Sequence, residues 1–240
     1  IKVFGIENSE VPLVQFNLVI DGGQLLEKMD KLGVANLTAS LMNRGTKNKT
    51  VAELQEAVQG LGASIRVSAS KENITISGTT LAKNYLQTLA LVEEVLLEPR
   101  WDATEFELLK RSVVGNLRQQ KASPTTIASN VYNGLIYGEN NIRSKNTLGT
   151  IESVGKIKLD ELKAFYTNYI SPSVAKMHVV GDINQNDVMA ALEKWKSKWE
   201  TKEVTIPVYK TPKAPNKPTV YFYDVPKAKQ SVINFGAPAL

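Results

Sequence analysis

The chain contains no cysteine and only one histidine, His178. Protein zinc is held mainly by Cys and His, three or four ligands at a time, so an ordinary structural or catalytic zinc site is excluded by ligand supply alone. Disulfides are excluded too, and the absence of thiols suits the cytosol and an oxidising envelope equally. No apolar run approaches the ~20 residues that a membrane-crossing helix requires. There is no Asp/Glu-rich loop with calcium-type spacing, and neither a Gly-x-Gly-x-x-Gly stretch nor a Walker-type loop. His178 lies in an apolar run between Met177 and Val179 with no sequence signal for a Ser-His-acid triad, and it reads as a packed or surface histidine. Ile1 to Phe4 show no basic-then-apolar-then-small order, so no secretory signal is visible, and an opening Ile reads as the start of a trimmed segment.

What is present suits one sizeable α/β domain with an extension: 240 residues, 42% hydrophobic. The net charge is +5, with basic and acidic residues mixed along most of the chain as on ordinary solvated faces. Lysine is in local excess from Lys194 to Lys229, but that stretch also carries five prolines. A nucleic-acid surface would interleave basic residues with stacking aromatics on one face, so the stretch reads as a linker and no nucleic-acid partner is expected.

Leu13 to Ile20 is an apolar, β-rich run closed by the turn Asp21-Gly22-Gly23, which predicts a buried strand. Val34, Leu37, Leu41 and Met42 have helical spacing, with Gly45-Thr46 as the stop. Thr50 with Glu53 forms a capping box for a helix from Val51 to Gly60. Ala63–Ser70 and Asn73–Thr80, joined at Lys71-Glu72, read as a hairpin. Helices are predicted over Leu81–Leu97, from Asp102 or Thr104 to Lys121, over Thr125–Tyr137, over Leu159–Tyr169 and over Asp187–Trp199. Val174–Val180 predicts one more strand. The Trp195/Trp199 pair, one turn apart, reads as core or interface packing. Prolines at 207, 212, 215 and 218 suit a tether, after which Thr219–Val225 and Gln230–Phe235 predict two strands.

The run from Gly33 to Thr46, GVANLTASLMNRGT, resembles the signature helix of the pitrilysin/insulinase family of zinc peptidases, whose active members carry His-x-x-Glu-His there. The frame residues Gly33, Ala35, Leu41, Met42, Gly45 and Thr46 match. Leu61-Gly62-Ala63, Leu97-Glu98-Pro99-Arg100-Trp101, Leu148-Gly149-Thr150, Phe165-Tyr166 with Tyr169 and Pro172, Val179-Val180-Gly181-Asp182 and Gln230 to Gly236 are also similar to family landmarks, in the expected order. The resemblance thus covers nearly the whole chain.

The chemistry departs from that pattern. Two imidazoles at i and i+4 share one helix face and reach one ion, and the Glu before the second works on the metal-bound water. Here those positions are Asn36, Ala39 and Ser40, and the position resembling the family's third ligand, a Glu on a later helix, is Asn116. An Asn amide is a poor zinc ligand, Ala has no polar group, and Ser does not ligate at neutral pH. The resemblance therefore implies no catalytic residue, no metal and no cofactor in this segment, with zinc expected in a homologous active half or partner.

The resemblance implies an α+β fold of the mitochondrial-processing-peptidase/LuxS-like metallohydrolase type, with a mixed, largely antiparallel sheet and helices mainly on one face. The expected organisation is a peptidase-like domain over 1–200, a Pro/Lys-rich linker over 201–218 and the beginning of a second homologous domain over 219–240. The expected function is a non-catalytic domain of a multi-domain or heterodimeric zinc metallopeptidase, shaping its peptide chamber beside a homologous active domain or subunit. In active relatives an edge strand near the Ala63–Thr80 hairpin takes substrate as an added strand, so extended peptides are a further expected partner. Family habits point to the periplasm or cell envelope. The alternative is a non-proteolytic scaffold or interaction subunit sharing the fold. A third reading, a basic domain binding polyanions, predicts affinity that falls steeply with salt.

Overall fold

In the computed structural model, which describes residues 1–210, 212, 217, 219–226 and 228–236, the strands are β1 (Lys2–Glu7), β2 (Leu13–Asp21), β3 (Ser64–Ala69), β4 (Asn73–Leu81) and β5 (Ala175–Gly181). The α-helices among the described residues are α1 (Val34–Met42), α2 (Val51–Gly60), α3 (Tyr85–Leu97), α4 (Ala103–Gln120), α5 (Pro124–Tyr137), α6 (Ile151–Lys156), α7 (Leu159–Tyr169) and α8 (Gln185–Lys196). The strands form one sheet in the order β1-β5-β2-β4-β3. Only β1 and β5 run parallel; the other three pairings are antiparallel, so the sheet is mixed and largely antiparallel.

Period-2 alternation decides which face is covered. Val14, Phe16, Leu18 and Ile20 of β2 are buried, and Ile74 and Ile76 of β4 and Met177 and Val179 of β5 share their core with Leu37 and Leu41 of α1, Val92 and Leu96 of α3, Leu162 of α7 and Trp195 of α8. On the other face Gln15, Asn17, His178 and Val180 lie exposed. Helices therefore cover one face, and the fold is α+β as expected. Phe16 and Tyr85 meet edge to face at 6.2 Å beneath the sheet. At Gly78 a Cβ would come within 2.3 Å of the Phe16 ring, so the smallest residue is required there.

Most expected elements are present within a few residues. The capping box of Thr50 and Glu53 is formed in both directions. The helix expected from Leu81 begins at Tyr85, because Leu81 still belongs to β4 and Ala82–Asn84 make a short 3-10 turn between them. The last helix begins at Gln185, since Asn184 caps it through the Asp187 amide. Trp199, beyond its end, is buried with its indole N–H donating to Ile170 O at 3.0 Å, and it meets Trp195 edge to face. The pair is core packing.

Two elements and one tether differ from the sequence reading. Strand β1 and helix α6 were not predicted. The span expected as a Pro/Lys-rich linker begins as a docked strap: Ser171 accepts from the Lys202 amide at 2.9 Å, Val204 and Ile206 pack on the core, and Tyr209 donates to Leu25 O at 3.0 Å. Residues 211, 213–216 and 218 of that linker, and 227 and 237–240 of the expected second domain, lie outside the described residues. The strands predicted over 219–225 and 230–235 do not form among the described residues. A strand exists only as part of a ladder, and Val220, Phe222, Ile233 and Phe235 stand exposed with no strand beside them among the described residues.

Candidate functional site

Helix α1 carries Asn36, Ala39 and Ser40, and its ends show why it is built where it is. Its N-cap is Gly33, which has no side chain to satisfy the first-turn amides. Glu27 does this instead. Its Oε2 accepts from Gly33 N–H at 2.9 Å and its Oε1 from Ala35 N–H at 2.8 Å, while the residue is only 7% exposed. Burial pushes the Glu27 carboxyl up to about 7, against the opposing pull of these two backbone bonds. Gly33 itself has φ of 99°, and a Cβ there would lie 2.7 Å from Leu148 O. At the other end Gly45, with φ of 100°, lets the chain turn back. Buried Thr46 then donates to Glu94 Oε2 at 3.1 Å, and Lys49 closes the same cluster on Glu94 at 2.8 Å.

Between these ends α1 packs against α4, α7 and β3. Asn36 and Ser40, one turn apart, are half-buried on one helix face, and Ala39 beside Ser40 is buried. Asn116 is exposed on α4, where its Oδ1 accepts from Gln120 Nε2 at 3.3 Å. A run of amides continues from there: Asn146 Nδ2 donates to Gln120 Oε1 at 2.9 Å, and Gln24 Nε2 donates to Asn146 O at 2.8 Å. Asn36, Ala39, Ser40 and Asn116 thus offer two amides, a hydroxyl and a methyl group. None of them ionises at neutral pH, so none supplies the anionic or imidazole donor that zinc takes. No group of three or more His, Cys, Asp or Glu converges anywhere among the described residues. The one histidine stands on the sheet's uncovered face, stacked on Phe4 at 5.1 Å.

Beside Asn116 lies an open groove of about 1010 Å³ between α4, α5 and the loop before α6, lined by Leu117, Ile127, Val131, Leu135 and Ile151 with Gln120 and Asn146 at its polar side. Helix α5, which forms one wall, buries none of its residues fully.

Residues 2–143 match the profile of the insulinase family of peptidases, family M16. The chain belongs to that family. Residues 156–240 match a second profile, that of the M16 inactive domain. Among curated proteins the chain is 25% identical over 186 residues to the non-peptidase homolog YmxG of Helicobacter pylori, covering 78% of this chain and 43% of that protein. It is 18% identical over 189 residues to the β subunit of the mitochondrial processing peptidase of Caenorhabditis elegans, covering 79% and 41%. Among solved structures it is similar to an M16 inactive domain from Pseudomonas fluorescens, with a TM-score of 0.81 at 24% identity over 89% of this chain and 52% of that one. This M16 chain thus spans less than half the length of these two curated relatives.

Sequence reasoning missed two of the groups that shape the site. Glu27 sits among Lys28, Asp30 and Lys31, a pattern that reads as solvated charge. Asn43, at the end of α1, has its amide bonded to the β3 backbone. No local signal marks either one.

Proposed function

We propose that this M16 chain is a non-catalytic domain of a larger zinc peptidase, in which it shapes the peptide chamber and pairs with a homologous domain or subunit that carries the zinc. The observation that carries this is the chemistry of Asn36, Ala39, Ser40 and Asn116: the helix frame of the family is kept in detail while its donors are gone. The match of 156–240 to the M16 inactive domain supports the same reading. In it, residues 1–200 are the peptidase-like domain and 219–240 open a second homologous domain. The exposed Val220, Phe222, Ile233 and Phe235 are then apolar positions awaiting the rest of that domain's sheet.

A second reading has its own support. The Helicobacter relative is described as a non-peptidase homolog, which favours a scaffold or interaction role without proteolysis. Isolation of the native assembly through an antibody to this chain separates the two. A chelator-sensitive peptidase activity that fractionates with the assembly supports the chamber role. An assembly that holds no homologous zinc-bearing domain and cleaves no peptide supports the scaffold.

A further inference from the structure

Among the described residues strand β3 lies at the edge of the sheet, paired only with β4. Such an edge presents a row of backbone donors and acceptors to which an extended chain can add. Ser70 N–H donates to Asn73 O, and in an antiparallel ladder bonded pairs alternate. The register then makes Ser68/Thr75, Arg66/Ser77 and Ser64/Thr79 the pairs that bond across to β4. Ile65, Val67 and Ala69 therefore turn their peptide groups outward. The central one of these three is already occupied. Asn43 Oδ1 accepts from Val67 N–H at 2.8 Å, and Asn43 Nδ2 donates to Val67 O at 2.8 Å while also donating to Ala39 O.

We propose that Asn43 is a resident occupant of the β3 edge, closing it to the addition of an extended peptide strand. A primary amide sets a donor beside an acceptor and has a second N–H left for Ala39 O, so Asn43 makes the bonds that an incoming strand's residue would make to Val67. It is held in place by the last turn of α1 and loses no association entropy in binding. A guest strand would run about 4.8 Å from β3, through the space this side chain fills. It could pair only with Ile65 or Ala69, whose outward groups stand about 7 Å to either side. Among the described residues no hydrogen bond from outside the β3–β4 ladder reaches the peptide groups of either. The closure holds whether or not a partner supplies zinc.

The test is residue-resolved hydrogen exchange on the intact protein, together with binding of a fluorescein-labelled, uncharged peptide rich in Val and Thr. In the parent protein the Val67 amide is expected to exchange much more slowly than those of Ile65 and Ala69, and the peptide is expected not to bind at millimolar concentration. In Asn43→Ala the Val67 amide joins its two neighbours, and peptide affinity rises by roughly tenfold or more, as two recovered backbone hydrogen bonds imply. Asn43→Asp is nearly isosteric, keeps the acceptor for Val67 N–H and loses the donor to Val67 O. It serves if the alanine variant does not fold, and it should retain Val67 protection with a smaller gain in peptide affinity. Val67 exchanging as fast as Ile65 in the parent protein would overturn the proposal. So would a parent protein that binds the peptide as tightly as the variants, or folded variants that gain no peptide affinity.

Discussion

Replacing Glu27 with glutamine removes a carboxyl that holds the start of α1 and that titrates within an accessible pH range. The carboxyl is buried, accepts two amides at the first turn of α1, and has its pKa pushed by burial from 4.5 to about 7. A folded state that holds a proton more tightly than the unfolded chain is stabilised below the unfolded value, and it loses that stability as pH rises through the folded value. At about 1.4 kcal/mol for each tenfold change in proton affinity, the loss between pH 4.5 and 7 amounts to about 3 kcal/mol. With a urea dependence of roughly 3 kcal/mol per molar for a chain of this size, the unfolding midpoint should fall by about 1 M over that range. Glu53 and Asp102 do not confuse the result. Backbone bonds at Thr50 and Glu105 hold them below the usual carboxylate range, so their contribution is lost only on further acidification. Glu27→Gln cannot titrate, and one of its two amide contacts meets an NH2 group instead of an acceptor. It should be less stable than the parent by about 1–3 kcal/mol at pH 5 and should lose the slope above it, meeting or passing the parent by pH 8. Parallel urea midpoints for the two proteins from pH 5 to 8, or a parent midpoint that rises over that range, would refute this description of Glu27.

Gly33→Ala places a methyl group 2.7 Å from Leu148 O at a left-handed backbone position. The thermal midpoint should drop by several degrees, for a cost of about 1–3 kcal/mol, and an unchanged midpoint contradicts the packing described at the start of α1. The triple variant Asn36→His, Ser40→His, Asn116→Glu restores three donors while leaving buried Ala39 alone. It should take up one zinc in competition with a chromophoric chelator, whereas the parent takes up none. A triple variant that is folded but retains no zinc shows that Asn116 does not face the α1 pair. Peptide binding by Asn43→Ala, with its hydrogen-exchange signature, is the fourth test and concerns β3 alone.

The helix frame and the hairpin were legible in the sequence because their causes are local. Thr50 and Glu53 sit three residues apart and cap each other, and the β3–β4 turn closes within a few residues. Strand β1 was not, since only Val3 of it reaches the core and its parallel partner β5 lies more than 160 residues along the chain. The same distance effect hid Glu27 and Asn43. Each bonds backbone groups whose position is set by the folded layout rather than by a neighbouring pattern. The strands expected beyond 219 read as strands for their β-branched and aromatic residues, but such composition does not specify a partner strand. For the expected site the structure adds only placement: Asn36 and Ser40 share one half-buried face of α1 with Ala39 buried beside them, and Asn116 bonds Gln120, which in turn bonds Asn146.

The most direct measurement is the zinc content of the native assembly that contains this chain, apportioned between its domains by limited proteolysis and metal analysis of the fragments. One zinc per assembly, all of it in a homologous domain other than residues 1–200, is the predicted result. Zinc retained by the 1–200 fragment, or an assembly that carries no zinc at all, would contradict a non-catalytic domain working beside an active one.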